Sequence, residues 1–269
     1  MAARAVTGVI LRRRDFNEFD RLLTIFTPEE GMVECLARGV RKITSKLGSK
    51  LQLFQWLRLQ LAQNRGRWPT ITGVDCLQSQ SATTNPAQDF RRFSLLCALA
   101  EIAYLGHSGP TTDYDNVTDF AQFKEALGTL MTIGHDQSGN DLAILLHYAG
   151  RLLADLGYLA LPLQCARCGQ DGASLRYLTQ GVMTCGPCGG QQTLTTSTTE
   201  ALARILATPA NQLTTAKIPD LAAATQLMKQ LYEHHLDCRL RAWPLLTTLP
   251  LISPSPHTAP ATITNANPL

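Results

Sequence analysis

Two Cys-x-x-Cys pairs separated by sixteen residues restrict this 269-residue chain more than any other feature: Cys165-Ala166-Arg167-Cys168 and Cys185-Gly186-Pro187-Cys188. Zinc takes about four soft ligands in a tetrahedron, and two tight turns that each deliver two thiolates satisfy it while the interval forms a joining hairpin. Leu175-Arg176-Tyr177-Leu178 reads as a strand within that interval, and Gly169, Gly186, Gly189 and Gly190 free the backbone beside the sulfurs. Two other chemistries use similar cysteines. Cys-Gly-Pro-Cys is the tetrapeptide of thioredoxin-like redox sites, but a reactive thiolate there starts a helix after a buried strand, whereas Gly189-Gly190 follows here. A zinc deaminase needs His-x-Glu upstream, and His107, His135 and His147 are followed by Ser-Gly, Asp-Gln and Tyr-Ala. The expectation is one structural Zn2+ held by Cys165, Cys168, Cys185 and Cys188, with no open position for water, stabilising its lobe by roughly 10 kcal/mol or more. The remaining cysteines, Cys35, Cys76, Cys97 and Cys238, sit among apolar neighbours and read as reduced core thiols.

Upstream, the pattern is one of short strands: Ala5–Leu11, Arg21–Thr27, Gly31–Ala37, Trp56–Leu61 and Pro69–Val74. Turn chemistry divides them. Asp15 to Asp20 is polar around two Phe residues, Pro28-Glu29-Glu30-Gly31 ends in the glycine of a hairpin turn, and Asn64-Arg65-Gly66-Arg67 parts the last two runs. Five strands in about 80 residues without a long helix suit a small closed barrel such as an OB-fold. Beyond it the period changes to that of helices. Phe90–Leu105, entered after Asn85-Pro86, then Val117–Thr132, Asp141–Leu156, Thr199–Ala207 and Leu221–Leu240 carry apolar residues three and four apart, the stripes of a bundle core.

The chain is therefore expected to be an α+β multidomain protein, an N-terminal OB-fold β-barrel over 1–80 followed by a C-terminal α-helical domain in two parts, 81–160 and 194–249. A four-cysteine zinc finger over 161–193 is inserted between them, and a Pro- and Thr-rich tail over 250–269 closes the chain. No stretch approaches the roughly 20 apolar residues of a membrane span, and the expected location is the cytoplasm.

Charge carries the functional signal, although the net value of +3 conceals it. Up to Asp75 the chain holds 13 basic and 7 acidic residues, so the remainder is net acidic. Between Cys35 and Val74 there is no Asp or Glu, while Arg38, Arg41, Lys42, Lys46, Lys50, Arg58, Arg65 and Arg67 all fall inside. Surfaces normally intersperse both signs, and so many cations on one small domain repel unless a polyanion neutralises them. Arg38 to Gly48 reads as a loop able to follow phosphates. Phe54, Trp56 and Trp68 lie nearby; a core role suits each better than base stacking. Other constellations are bland: His234-His235 with Glu233 and Asp237 reads as a solvated helix face, and Asp113, Asp115 and Asp119 as helix capping. There is no P-loop, His-Glu-x-x-His, Gly-x-Ser-x-Gly or dinucleotide fingerprint, so no enzyme is expected.

At the amino-terminus the sequence resembles the bacterial RecO family of recombinational DNA repair proteins. Gly8-Val9-Ile10-Leu11-Arg12-Arg13-Arg14-Asp15, Glu18-Phe19-Asp20-Arg21-Leu22-Leu23-Thr24, Phe26-Thr27-Pro28, Gly31 and Ala37-Arg38-Gly39-Val40-Arg41-Lys42 run in that family's order and spacing. The order of basic barrel, interrupted helices and closing helix carries the likeness to the tail. The resemblance implies binding of single- and double-stranded DNA, annealing of complementary strands without ATP, and action at the bacterial nucleoid. It also implies loading of the recombinase RecA with RecR, and contact with the acidic C-terminal tail of the single-strand-binding protein. It assigns DNA contact to Arg38, Arg41, Lys42 and Lys46, then to Arg12, Arg13, Arg14 and Arg21, and leaves Arg91, Arg92 and Arg151 as candidates for the acidic tail. The reading from another class is a zinc-stabilised adaptor whose basic patch is incidental.

Overall fold

The computed structural model describes residues 3–63, 66–77, 90–107, 115–132, 140–171 and 175–248. Arg65, the helix entry at Asn85-Pro86, Asp113, His135 and the tail over 250–269 lie outside the described residues. Five strands, β1 (Ala3–Asp15), β2 (Arg21–Thr27), β3 (Gly31–Ala37), β4 (Trp56–Ala62) and β5 (Thr70–Cys76), form a closed barrel in the order β1-β2-β3-β5-β4. Strand β1 pairs antiparallel with both β2 and β4, and a parallel bridge from Leu36 to Thr70 closes β3 on β5.

Strand β1 is longer than its apolar run, because Arg12 to Asp15 stay paired with β2 beyond an irregularity between Ile10 and Arg12. Its two faces serve two cores. Ile10 joins Leu23, Ile25, Val33, Cys35, Leu57, Leu59, Leu61, Ile71 and Val74 inside the barrel, while Val9 and Leu11 turn outward with Phe26 and Phe54 into the helical core. A continuous apolar run is what a strand covered on both faces requires. Gly8 permits the close approach of β1 to β2: a Cβ there would collide with the carbonyl oxygen of Phe26 and lie 2.8 Å from Ile25 Cγ2.

Helices α1 (Phe90–Gly106), α2 (Asn116–Thr132) and α3 (Asp141–Asp155) precede a three-stranded finger of β6 (Leu175–Thr179), β7 (Val182–Cys185) and β8 (Gln192–Thr193). Then follow α4 (Thr196–Ala207), α5 (Ala210–Leu213), α6 (Leu221–His235) and α7 (Trp243–Thr248). Helix α3 is the hub. Leu142 to Leu146, Tyr148, Ala149, Leu152 and Leu153 are all buried, and α1, α2, α4 and α6 pack around it. Helix α4 starts three residues before the predicted Thr199, where the Thr195 hydroxyl accepts from the Thr198 N–H at 3.2 Å. Helix α6 ends at His235 rather than Leu240, because Asp237 takes a left-handed conformation at φ 44°. Short helices α5 and α7 are too brief to leave a periodic signature.

Three polar readings change with the packing. Asp115 caps α2 as expected, accepting from Val117 N and Thr118 N. Asp119 does not cap: it is 1 % exposed and accepts from the Tyr148 hydroxyl at 3.1 Å. The pair His234-His235 is not simply a solvated face, since His235 Nε2 lies 2.8 Å from the Gly181 carbonyl and its ring stacks on Tyr158, so α6 holds the finger hairpin. Arg91 makes a two-pronged ion pair with Asp141 at 2.6 Å and Arg92 is buried, which leaves only Arg151 of the three acidic-tail candidates on the surface.

Candidate nucleic-acid interface and metal centre

The predicted basic loop is tied to the β1–β2 loop rather than hanging free. Gly39, at φ 64°, donates its N–H to Asp20 Oδ1 at 2.8 Å, and the Arg41 N–H reaches the Phe19 carbonyl at 3.0 Å. The Arg41 guanidinium bonds the Asn17 carbonyl at 2.9 Å and lies 3.3 Å from Asp15, to which Arg21 also donates at 2.9 Å. The Arg21 hydrogen bond outweighs desolvation and, with Arg41 nearby, holds the Asp15 carboxyl below its usual range. Val40 and Leu51 anchor the connection by burying into the barrel core. Cations in the acid-free stretch are thus not all unpaired, as Arg41 borrows Asp15 from outside it. Arg38, Lys46 and Lys50 are exposed and have no carboxylate partner among the described residues.

Aromatic side chains complete this face. Phe16 and Phe19, from the β1–β2 loop, are 41 % and 42 % exposed. Phe16 meets Trp68 of the β4–β5 turn edge-on at 5.2 Å, Arg67 lies over Trp68 at 5.5 Å, and Lys42 lies over Phe19 at 5.2 Å. Three loops that are far apart in sequence therefore share one surface of cations laid on rings. Of the three aromatics singled out from sequence, only Trp68 lies there. Phe54 is buried, and Trp56 packs against the helical core under Lys124, whose ammonium is 3.3 Å from the ring centre. Phe16 and Phe19 were missed, although two Phe residues in an otherwise polar turn were themselves the signal.

The other assigned arginines diverge. Arg12 leans over Tyr104 of α1 at 4.2 Å, at the seam between barrel and helices. Arg13 bonds Gln52 Oε1 at 2.6 Å beneath the basic loop, and Arg14 is exposed at the end of β1. Arg38, Arg41, Lys42, Arg21 and Lys46 belong to the loop side; Arg12 does not.

The four motif cysteines converge: their sulfurs all lie within 4.8 Å of one another. Gly169 and Gly189, each following the second cysteine of a pair, adopt φ 71° and 65°, and their N–H groups return to the Cys165 and Cys185 carbonyls at 2.9 and 3.2 Å. These are two matching knuckles. The donor set fits a soft divalent cation. Burial opposes ionisation of Cys165, yet N–H donors from Cys185, Cys168 and Arg167 draw its thiol down to about 6. Hydrogen bonds from the Cys185 and Cys168 sulfurs push Cys188 up to about 12. Four sulfurs so close resist shared ionisation unless a positive charge sits among them. Cys165 and Cys185 are also buried in the helical core with Leu163, Leu175, Leu178 and Met183, so the finger is part of that core.

A small basic barrel joined through its own outer face to a helical domain, with a thiol-knuckle finger set into that domain, defines the architectural class of this multidomain protein. The model of the family described as "Recombination protein O N terminal" matches residues 1–80, and that of "Recombination protein O C terminal" matches residues 87–244. A DNA repair protein RecO of Streptomyces griseus is 30 % identical over 188 residues, 67 % of this chain and 72 % of that protein. RecO proteins of Cutibacterium acnes (30 % identical, 61 % of this chain and 65 % of that protein) and Frankia casuarinae (31 %, 65 % and 68 %) are similar. The chain belongs to the RecO family, which acts in DNA repair and recombination. Among the described residues, no helix is long and apolar enough to cross a membrane.

Proposed function

We propose that this chain is a non-enzymatic mediator of recombinational repair that binds single-stranded DNA across the loops of its barrel and brings complementary strands together without ATP. The observation that carries this reading is the surface shared by Phe16, Phe19, Trp68, Lys42 and Arg67, with exposed Arg38 on the same loop as Lys42. The barrel's strand order suits an OB-fold, in which the β1–β2 and β4–β5 loops meet oligonucleotides. Cations along the loops screen phosphates, rings accept bases of any sequence, and base pairing between strands supplies specificity. Duplex DNA is met through the same cations. Family membership supports RecR, the acidic tail of the single-strand-binding protein and recombinase loading as partners and outcome. Arg151, exposed beside Arg204 in a cavity of about 620 Å³ between α3 and α4, is the remaining candidate for the acidic tail.

Zn2+ is the cation that four thiolates at this spacing favour; Cys165, Cys168, Cys185 and Cys188 would hold it, and it would supply a structural cross-link.

The test is binding of a labelled single-stranded oligonucleotide by anisotropy across a salt series. Steep weakening with salt is expected, with a log-log slope of roughly 0.7 per phosphate neutralised. Replacing Arg38, Lys42 and Lys46 together by alanine should flatten that slope by about 2. A salt-insensitive interaction, or a triple variant that binds like the parent, would overturn the reading.

A further inference from the structure

The basic loop carries one residue that electrostatics does not explain. Ile43, between Lys42 and Lys46, is 104 % exposed, whereas the next most exposed large apolar residue described, Val117, is 61 % exposed. A single exposed apolar side chain usually needs no account. This one differs in its setting. The chain on either side is held: Lys42 N–H bonds the Gly39 carbonyl at 3.2 Å, Ser45 N–H bonds the Lys42 carbonyl at 2.9 Å, and Val40 and Leu51 are buried in the barrel. Ile43 cannot collapse onto the core without undoing those bonds. The loop therefore presents a β-branched wedge, stiff about its χ1, between Arg41-Lys42 and Lys46.

We infer that Ile43 inserts between adjacent bases of a bound DNA strand and unstacks them. The inference rests on the proposed DNA-binding role of this face and assigns it a further activity. Charge complementarity commits the occupant: Arg38, Arg41, Lys42 and Lys46 flank the apolar tip along the chain, in a stretch with no acidic residue between Cys35 and Val74. Phosphates held by those cations would bring base steps against a group that can occupy only the apolar gap between them. Apolar side chains wedged between base steps unstack them in this way. Lys42, laid over Phe19, joins the tip to the ring surface of Phe16 and Trp68, which offers a splayed base a new stacking partner.

The experiment uses the full chain and an oligonucleotide carrying 2-aminopurine, whose fluorescence rises when it leaves a stack. Measurements are made at protein concentrations that saturate the DNA, as judged separately by anisotropy, so that altered affinity does not enter. The parent protein should brighten the probe, Ile43→Ser should lose most of that rise while still reaching saturation, and Ile43→Leu should restore it. Circular dichroism and thermal melting of the serine variant should match the parent, as its side chain touches no core. Equal brightening by the parent and Ile43→Ser would overturn the wedge, as would a parent that binds DNA without brightening the probe. Ile43-dependent binding to anionic phosphatidylglycerol vesicles without any probe response would overturn it in favour of a membrane surface. Absence of DNA binding by the parent would instead overturn the binding reading beneath it.

Discussion

Phe16 and Trp68 show how a single side chain can change its meaning when the fold is known. In sequence they are 52 positions apart, one in a polar turn and the other beside a proline. Folding sets their rings edge to face at 5.2 Å on the outside of the barrel, where neither fills a core. Each stacked base contributes about 1–3 kcal/mol, so Phe16→Ala with Trp68→Ala should lower single-strand affinity by tenfold or more while weakening duplex binding much less. Parallel titrations of both DNAs check this; an equal loss on duplex would assign the rings to shaping the loop. Gly8 makes the opposite point, because its importance is wholly internal. Gly8→Ala would force the paired β1 and β2 apart at the Phe26 carbonyl, and a loss of roughly 2–3 kcal/mol in denaturant unfolding is expected. Unchanged stability would mean that the strands separate there at no cost.

At the scale of elements, the finger was the most legible part of the chain and its docking the least. Cysteine spacing announced two knuckles, and the structure brings the sulfurs within 4.8 Å. Nothing local in the sequence announced that Gly181 at the β6–β7 turn would pack under His234 and His235 of α6, because that contact joins residues more than fifty positions apart. The strand pattern was similarly readable where one face was wet, as in β4, with Leu57, Leu59 and Leu61 inward. It faltered in β1, where burial on both faces erased alternation and the predicted strand stopped at Leu11, short of the charged extension to Asp15. The helix stop at His235 was missed because the apolar Leu236 and Leu240 kept the period going past a left-handed Asp237. Because Cys165 and Cys185 belong to the helical core, removing a cation held by the four cysteines should disturb more than the finger. Incubation with a strong chelator, or Cys185→Ser, should lower the melting temperature of the helical domain by several degrees and release about one equivalent of metal. A chelated protein that melts like the parent would show the cluster to be dispensable.

Over the whole molecule, the barrel and helices share apolar side chains, with Val9, Leu11, Phe26 and Phe54 contributed by the barrel side to a core centred on α3. Stability therefore depends on what holds α3 in place, and His147 on that helix is one such group. Its Nδ1 lies 2.8 Å from the Ile205 carbonyl of α4, to which it donates its N–H. Burial pulls its pKa below the ordinary 6.5 and Arg151 adds to the effect, against the opposing pull of the Ile205 bond and Glu125. In the unfolded chain the same imidazole takes up a proton as the pH drops through 6.5, while in the folded chain it resists. The unfolded state then binds more protons, so the contribution of His147 is full above pH 6.5 and is lost as the pH falls below it. The slope is at most about 1.4 kcal/mol per pH unit for one group. Urea unfolding between about pH 7 and 5.5 should show this decline. His147→Gln, which keeps an N–H donor for Ile205 but cannot titrate, should flatten the curve over that window even if it lowers stability uniformly. A variant curve parallel to that of the parent would remove His147 from the account and leave the acid sensitivity to other buried groups, His107 first among them.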